Sequence, residues 1–390
     1  MDHATFIFFI STAIKIAIFT FVLILPIIAY STYAERRVSS IIQDRVGPNR
    51  VGIPLTLFGC KKDIPFSGLL QPLADGLKGL LKEDLVPAHV RKFFFWIAPA
   101  LTAAPAFLTL CVIPFGSSIS LFGEDIKLVI ADIDAGPLFV FAIASLSVYG
   151  ITIAGWASNN KYSFLGGVRS CAQMISYEIA LGLSIIPVLM VFGQLNLSDI
   201  VQAQADGGWT LLPLWNAHGS VLDRSYWENA GEQWLLLIPL TISFVIFTTS
   251  IFAETNRMPF DLPECETELV GGYHTEYSSM KFALFFLGEY AAMIVGSAII
   301  VTLFFGGWSA GFGLDTAIAN MAWGSFKLGG LIHLGIFLAK VIAFVIFFIW
   351  VRWTVPRFRY DQLMKLGWVV FFELALVNIF ITAGIIMMMN

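Results

Sequence analysis

The sequence predicts an all-α membrane protein: an eight-helix transmembrane bundle with a short amphipathic interfacial helix and a long acidic cytoplasmic loop. Hydrophobic residues make up 57% of the 390 residues and charged residues only 13%, which is far more apolar surface than one soluble core requires. The apolar residues are also gathered into runs with few or no charges, and these runs reach the roughly 18 residues that a spanning helix needs. Membrane residence follows from both observations.

Polar segments separate eight such runs. Because backbone polar groups in lipid must be hydrogen-bonded within the protein, a spanning segment is either a helix or a strand of a closed barrel. The runs lack the alternation of apolar and polar residues that is typical of barrel strands, so we interpret all eight as helices. We expect one polytopic membrane domain over residues 1–390, with spans near 5–33, 96–117, 135–156, 170–193, 234–255, 281–305, 332–353 and 367–389.

Lysine and arginine residues are distributed unevenly between the two sets of loops. If the N-terminus is outside, the inner loops carry 18 of the 23 basic residues, and the outer loops carry only Lys127, Arg224 and Lys327. Because cytoplasmic loops are enriched in lysine and arginine, we expect both termini on the outer side. The long loops 34–95 and 256–281 would then face the cytoplasm or its topological equivalent.

The segment AETNRMPFDLPECETELVGGYHTEYSSMKF, residues 253–282, is unusually acidic for so apolar a chain. A solvated acidic loop is the ordinary interpretation, but the apolar residues within the segment do not fit a free tail. Its six carboxylates are Glu254, Asp261, Glu264, Glu266, Glu268 and Glu276.

Two further carboxylates, Glu178 and Glu289, lie inside predicted spans. A charge near the bilayer centre costs at least about 2.5 to 3.5 kcal/mol, so such residues are functional-site candidates, although each could instead bond a neighbouring helix or reach the interface. Crowded carboxylates in a medium of low dielectric repel one another and can carry protons, whereas Arg257 and Arg352 could hold selected ones ionised. The pattern assigns a charge state to none of them.

Two features of the loop after the first span go beyond a basic membrane anchor. Glu35, Arg36 and Arg37 occur where the apolar run stops, and a Gly-Pro-Asn turn follows at 47–49. Residues 68–85, GLLQPLADGLKGLLKEDL, place leucines at helical spacing, with Asp75 among the polar positions. This pattern predicts an interfacial amphipathic helix, which either props the bundle or frames a lateral opening for an amphiphilic molecule.

Several common sites are absent from the sequence. It has no Gly-rich nucleotide loop, no Walker lysine and no histidine pair at metal spacing, and its four cysteines are widely separated. Neither an iron–sulfur cluster nor a zinc site is predicted. If the chain takes part in redox chemistry, partner proteins must supply the electrons.

Five segments closely resemble the quinone-module membrane subunit of respiratory complex I, which is the H-type subunit of the bacterial NADH-quinone oxidoreductase and NADH dehydrogenase subunit 1 in mitochondria. They occur in order over most of the chain and fit the eight-helix plan. The segments are YAERRVSSIIQDRVGPNRVG, LLQPLADGLKGLLKE, GWASNNKYSFLGGVRSCAQMISYEIALG, AETNRMPFDLPECETELVGGYHTEYSSMKFALFFLGEY and VRWTVPRFRYDQLMKLGW.

The resemblance implies a subunit of a proton-translocating NADH:quinone oxidoreductase of the respiratory chain. It would lie between the membrane arm and the peripheral arm, which carries flavin and iron–sulfur clusters. The chain would bind no metal, NADH, flavin or iron–sulfur cluster itself, and quinone would be a substrate shared with partner subunits. Expected partners are the peripheral-arm quinone-site subunits, small membrane-arm subunits and lipid, but not nucleic acid. The expected location is the bacterial plasma (inner) membrane, with the mitochondrial inner membrane as the alternative.

The resemblance also implies residue roles. The first span, the sixth span and the interfacial helix would surround the quinone entrance, with Glu35, Arg36, Arg37 and Asp75 at the tunnel. A chain of carboxylates would couple quinone reduction to proton translocation, with Arg257 and Arg352 as counter-charges. The members of this chain are Glu178, Glu254, Asp261, Glu264, Glu266, Glu268, Glu276 and Glu289.

Two other functions stay open at this point. The chain could be the equivalent subunit of a related complex fed by another electron donor, because the donor module is on other chains. It could instead be an autonomous proton or cation transporter, which would explain the carboxylates but not the quinone motifs. The sequence does not distinguish ubiquinone from menaquinone.

Overall fold

The computed structural model describes residues 11–53, 66–121, 124–211, 224–263, 266–311, 314–319, 321–323, 326–327 and 329–389. Within these ranges, eight helices are long and apolar enough to cross a membrane, which confirms the predicted bundle; residues 5–10 of the first predicted span lie outside them. The spanning helices are α1, α3, α4, α5, α7, α8, α9 and α10. The bounds are α1 Ser11–Ile42, α2 Gln71–Leu81, α3 Lys92–Val112, α4 Gly136–Ala157, α5 Lys161–Phe192, α6 Leu197–Gly207, α7 Arg224–Glu254, α8 Ser279–Phe304, α9 Gly329–Thr354 and α10 Tyr360–Met389.

Several helices are longer than the predicted spans. An apolar run marks the part of a helix that lies in lipid, whereas the helix itself can continue into the polar interface. Thus α1 continues to Ile42, and Glu35 belongs to this helix rather than to the loop after it. Likewise, α5 begins at Lys161, where the Asn160 side chain caps it by accepting a hydrogen bond from the Tyr162 amide at 3.0 Å.

The amphipathic helix predicted within residues 68–85 is present as α2 and lies against α1. Pro72 stands in its first turn, where a missing amide hydrogen has no cost. The Tyr33 hydroxyl of α1 donates to the Ser67 carbonyl at 2.8 Å, and Arg36 pairs with Asp75 at 2.8 Å. Both contacts hold the N-terminal half of α2 beside α1.

Two short antiparallel hairpins were not predicted. Strands β1 (Gly116–Leu121) and β2 (Glu124–Leu128) pair between α3 and α4, and β3 (Ala322–Trp323) pairs with β4 (Phe326–Lys327) before α9. Each is only a few residues long and lies in a mixed polar connection, so neither gives the extended alternation that identifies a strand in sequence.

The acidic loop after α7 folds back onto the bundle. The Gln173 side chain of α5 donates to the carbonyls of Ala253 and Phe260, both at 2.8 Å. Farther along, the Tyr277 ring stacks on Phe95 of α3 with ring centroids 4.0 Å apart. Phe260 and Tyr277 are buried, so this part of the loop is packed and not a free solvated tail.

Candidate functional site

Five side chains from four segments of the chain meet inside the bundle and form what we call the charge cluster. Glu35 comes from α1, Glu289 and Tyr290 from α8, Arg352 from the end of α9, and Arg257 from the acidic loop. Arg257 is only 2% exposed and Glu35 only 6%. α8 is the most enclosed of the spanning helices, and the side chain of its Glu289 is 15% exposed.

Arg257 is the centre of the charge cluster. Its Nη1 donates to Oε2 of Glu35 at 2.9 Å, and its Nε lies 2.9 Å from Oε1 of Glu289. Its guanidinium carbon also lies 4.3 Å from the centre of the Tyr290 ring. One cation therefore joins carboxylates on α1 and α8 and contacts an aromatic face, a combination that suits the planar guanidinium.

Glu35 accepts hydrogen bonds from three donors. Besides Arg257, the Tyr290 hydroxyl donates to its Oε2 at 2.6 Å, and Nη1 of Arg352 donates to its Oε1. Since a buried carboxylate is tolerated only when it is paired and hydrogen-bonded, these contacts account for its burial.

The loop that supplies Arg257 also supplies Asp261, which lies beside the charge cluster. Asp261 pairs with Nη2 of Arg357 at 3.0 Å. Burial raises the pKa of Asp261, and the positive charges of Arg357 and Arg352 only partly offset this effect. Burial also disfavours the charged form of Arg257, but the carboxylates of Glu289 and Glu35 outweigh it and hold the pKa of Arg257 above its ordinary value.

A second carboxylate, Glu254, lies at a cavity that we call the acidic cavity. Its volume of about 60 Å³ is enough for about four water molecules. Glu254 lines it together with Thr102, Thr109 and Thr255, whereas most of its other lining residues are apolar. Glu178 of α5 interacts electrostatically with Glu254 of α7.

Of the remaining predicted carboxylates, Glu268 is exposed and Glu276 is half-buried. Glu268 forms an exposed ion pair with Arg169 at 2.6 Å, and Glu276 accepts a hydrogen bond from the Asn160 side chain at 2.8 Å. Glu264 lies outside the described residues. Glu266 begins a single helical turn, Glu266–Leu269, but its side chain is not among those described.

A larger, mostly apolar cavity of about 400 Å³ lies between α1 and α2, here called the α1–α2 cavity. α8, the sixth span, contributes no residue to its lining and instead contacts the C-terminal end of α2. Only two of the three expected elements therefore surround this cavity. Its lining residues are Ala29, Tyr30, Leu69, Leu70, Pro72, Leu73, Gly76, Leu77 and Leu80.

The four predicted tunnel residues have separate positions. Glu35 turns inward to the charge cluster, whereas Arg36 and Asp75 form an ion pair that joins α1 to α2. Arg37 donates to the Val46 carbonyl and thereby holds the turn that contains Gly47. None of the four lines the α1–α2 cavity itself.

The model of the NADH dehydrogenase family matches residues 14–383, nearly the whole chain. The chain belongs to this family. Among similar members, an H-type subunit of NADH-quinone oxidoreductase from Cytophaga hutchinsonii is 44% identical over 97% of this chain and 96% of its own length. Its counterpart in Geobacter metallireducens is 46% identical, with 96% of both chains covered. The H-type subunit of Leptospira biflexa is 47% identical over 89% of this chain and 87% of its own length.

Sequence reasoning missed two participants in this family member's site. Tyr290 donates to Glu35, and Arg357 pairs with Asp261. A tyrosine in an apolar helix gives little signal by itself, but its position next to the intramembrane Glu289 could have indicated it. Arg357 lies in the same basic segment as Arg352, and only the structure distinguishes their partners.

Proposed function

We propose that this chain is the membrane subunit of a bacterial NADH-quinone oxidoreductase and couples quinone reduction to proton translocation. The observation that carries the proposal is that one loop joins two acidic sites. Glu254 lines the acidic cavity, and Arg257, less than one helical turn later, is the centre of the charge cluster. A change at one site therefore has a direct covalent and electrostatic route to the other. The names of the relatives support the same function.

The α1–α2 cavity suits the entry of quinone. Its lining is almost wholly apolar, as an isoprenoid tail requires, and an amphipathic helix forms one wall. The Arg36–Asp75 ion pair beside it provides the polar surroundings that a quinone head group needs at the membrane surface. Flavin and iron–sulfur clusters would be on partner subunits, which complete the reduction site.

The coupling element is Arg257, because it is shared between Glu35 and Glu289. Protonation of either carboxylate would weaken one ion pair and favour the other, so the guanidinium has two charge-dependent arrangements. Asp261, with its raised pKa, lies in the same loop and can exchange a proton more readily than an ordinary aspartate. Movement of this loop would carry the change to Glu254, and from there to Glu178.

The placement in the membrane forms part of the proposal. The chain would be a single membrane domain in the plasma (inner) membrane, with both termini outside and the acidic loop facing the cytoplasm. Its partners would be peripheral-arm quinone-site subunits, small membrane-arm subunits and lipid. A related complex with another electron donor would use the same charge cluster, because the donor module is on other chains.

The first test is purification through a tag on this chain, with mass spectrometry of the co-purifying subunits and an assay of inhibitor-sensitive NADH to quinone electron transfer. Recovery of flavin and iron–sulfur subunits with that activity supports the proposal. An isolated, folded chain that moves protons in liposomes without electron flow would instead support the autonomous transporter.

The second test addresses coupling through Glu254→Gln and Glu178→Gln. Because each variant would lose a proton-carrying group, we expect proton translocation to fall at least about tenfold in assembled complex, with coupled quinone reduction falling alongside it. Asp206→Asn is the matched control, because it likewise replaces a carboxylate by a carboxamide, but at an exposed position on α6. It should have no effect. Full proton translocation in both carboxylate variants would rule out this path.

A further inference from the structure

The two ends of α2 are attached to different spanning helices. At the N-terminal half, Tyr33 and Arg36 of α1 bond to Ser67 and Asp75. At the C-terminal end, the Ser279 hydroxyl of α8 lies 3.0 Å from the Gly79 carbonyl and 2.9 Å from that of Lys82. A serine of α8 therefore binds one carbonyl in the last turn of α2 and the carbonyl of the residue just after it. Carbonyls at a helix C-terminus have no partner within the helix itself.

Two neighbouring residues add to this attachment. The Ser278 hydroxyl accepts a hydrogen bond from the Leu85 amide at 3.1 Å. Lys281, whose side chain is 7% exposed, pairs with Asp84 at 2.8 Å, and its ammonium lies 3.5 Å from the centre of a Trp96 ring. We call the contacts of Ser278, Ser279 and Lys281 with the end of α2 the α2–α8 latch.

The backbone of the latch is itself unusual. Ser279 has a φ of +55°, in the left-handed region that non-glycine residues seldom adopt. A residue is held in this region only where surrounding contacts determine its conformation. Here the carbonyls of Gly79 and Lys82 are such contacts, so the end of α2 has a defined position on α8.

The residues of the latch do not line the α1–α2 cavity. Gly76, Leu77 and Leu80, in the C-terminal half of α2, form one wall of the cavity, and Tyr30 of α1 lies in the other. Because α8 contributes nothing to the lining, an effect of α8 on the cavity has to act through the position of α2. The same helix carries Glu289 and Tyr290 of the charge cluster.

We propose that Ser278, Ser279 and Lys281 are positioning residues that fix the C-terminal half of α2 relative to α1 and thereby set how well the cavity accepts a long isoprenoid tail. The inference rests on the proposed function, since it takes this cavity as the quinone entrance. A long tail still occupies the entrance when the head group is bound deeper, whereas a short-tailed quinone leaves the entrance empty. Tail length therefore separates an effect on the entrance from an effect on the reaction.

The test uses the assembled complex with Lys281→Met, Lys281→Arg and Ser279→Ala. The KM and kcat are measured with a ten-isoprenoid quinone and with a short-tailed analogue, and normalised to NADH oxidation by a water-soluble acceptor. Lys281→Met keeps the stem over Trp96 but removes the charge, and Asp84 stays partly exposed to water. For Lys281→Met and Ser279→Ala we expect the long-to-short KM ratio to change by about two- to tenfold, as the loss of one hydrogen bond predicts. The kcat with the short-tailed quinone should be unchanged. Lys281→Arg, which keeps the positive charge, should keep the long-to-short KM ratio of the wild-type complex.

Two controls separate the latch from the entrance. Lys127→Met removes an ion-paired lysine of β2, which has no part in the latch, and should leave the ratio unchanged. Gly76→Phe fills the cavity directly, because a Cβ at Gly76 meets nothing within 4 Å, and should raise the KM of the long-tailed quinone.

Each outcome has one meaning. An unchanged ratio in the latch variants, or an equal change for both quinones, overturns the positioning role; if Gly76→Phe still affects the long-tailed quinone, the proposed entrance survives. No effect of Gly76→Phe on either quinone overturns the entrance itself. If Lys281→Met prevents assembly, Ser279→Ala, which removes a single hydroxyl, decides the matter.

Discussion

Arg257 illustrates how much of this protein depends on single residues. It is buried, contacts two carboxylates and one aromatic ring, and comes from a loop rather than from a spanning helix. A guanidinium can satisfy these partners together because its donors lie in one plane, which the compact ammonium of lysine cannot imitate. The residue therefore fixes the loop to the bundle as well as carrying charge.

Arg257→Lys should strongly destabilise the protein. One carboxylate of the charge cluster would be left buried without its cation, and breaking a buried ion pair in this way costs about 3 to 5 kcal/mol. Thermal unfolding in detergent, together with the yield of assembled complex, measures the effect. Arg169→Lys, in the exposed pair with Glu268, is the matched control and should cost at most about 1 kcal/mol. Equal effects of the two substitutions would contradict the structural importance of Arg257.

His274 should make the acidic loop sensitive to acid. Burial among Phe282 and Phe286 lowers the pKa of His274 to about 4. Above its unfolded pKa of about 6.5, His274 is neutral in both the folded and the unfolded state, so its protonation does not affect the free energy of unfolding. As the pH falls from about 6.5 towards 4, only the unfolded chain takes up the proton, and the folded state loses stability.

His274→Phe keeps the aromatic contacts and removes the titration. The unfolding temperature of the variant should fall less between about pH 7.5 and about pH 5 than that of the wild-type protein. In the wild-type protein, the titration of His274 lowers the free energy of unfolding by up to about 3 kcal/mol between its unfolded pKa and its folded pKa. The same pH dependence in both proteins would show that other groups cause the acid sensitivity.

At the scale of the elements, close approach between helices depends on small residues. A Cβ built on Gly150 of α4 would lie 2.4 Å from Oγ1 and 2.6 Å from the amide nitrogen of Thr102 in α3. Since part of that obstacle is backbone, the two helices would have to separate.

Gly150→Ala should consequently lower the free energy of unfolding by about 1 to 3 kcal/mol, the usual cost of overpacking. Gly182→Ala on α5 is a matched control, because a Cβ there meets nothing within 4 Å. That control should be neutral or slightly stabilising, since alanine favours a helix over glycine. Thermal unfolding of both variants tests the difference, and a neutral Gly150→Ala would mean that α3 and α4 can separate without cost.

The elements were predictable to the extent that lipid imposes them. Long apolar runs can only be helices, and leucines at helical spacing identified α2, whereas the hairpin β1–β2 was missed because it is too short to show a pattern. The pairing of residues within the charge cluster could not be predicted from the sequence. Glu35 and Arg352 are both conspicuous in the sequence, but no local spacing relates residues so distant in the chain. Only the packing of α1 against α9 brings them together.

At the scale of the whole molecule, the distribution of basic residues predicts one orientation in the membrane. Asp44→Cys, after α1, should react with a membrane-impermeant maleimide only from the cytoplasmic side, and Lys127→Cys, in β2, only from the outside. A background without the four native cysteines makes the labelling specific. Right-side-out and inverted vesicles give the two measurements, and the opposite pattern would invert the proposed topology.

The contact between Glu35 and Arg352 also spans most of the chain, because the two residues are 317 positions apart. A polypeptide is synthesised from its N-terminus, so α1 is made long before either arginine of the charge cluster exists. During that interval Glu35 has none of its cationic partners, and its helix is poorly suited to an apolar environment. A chain that stops before residue 257 keeps this defect permanently. The charge cluster therefore forms only after most of the chain has been made, and a subunit truncated before Arg257 differs from a finished one by a buried carboxylate without a cation.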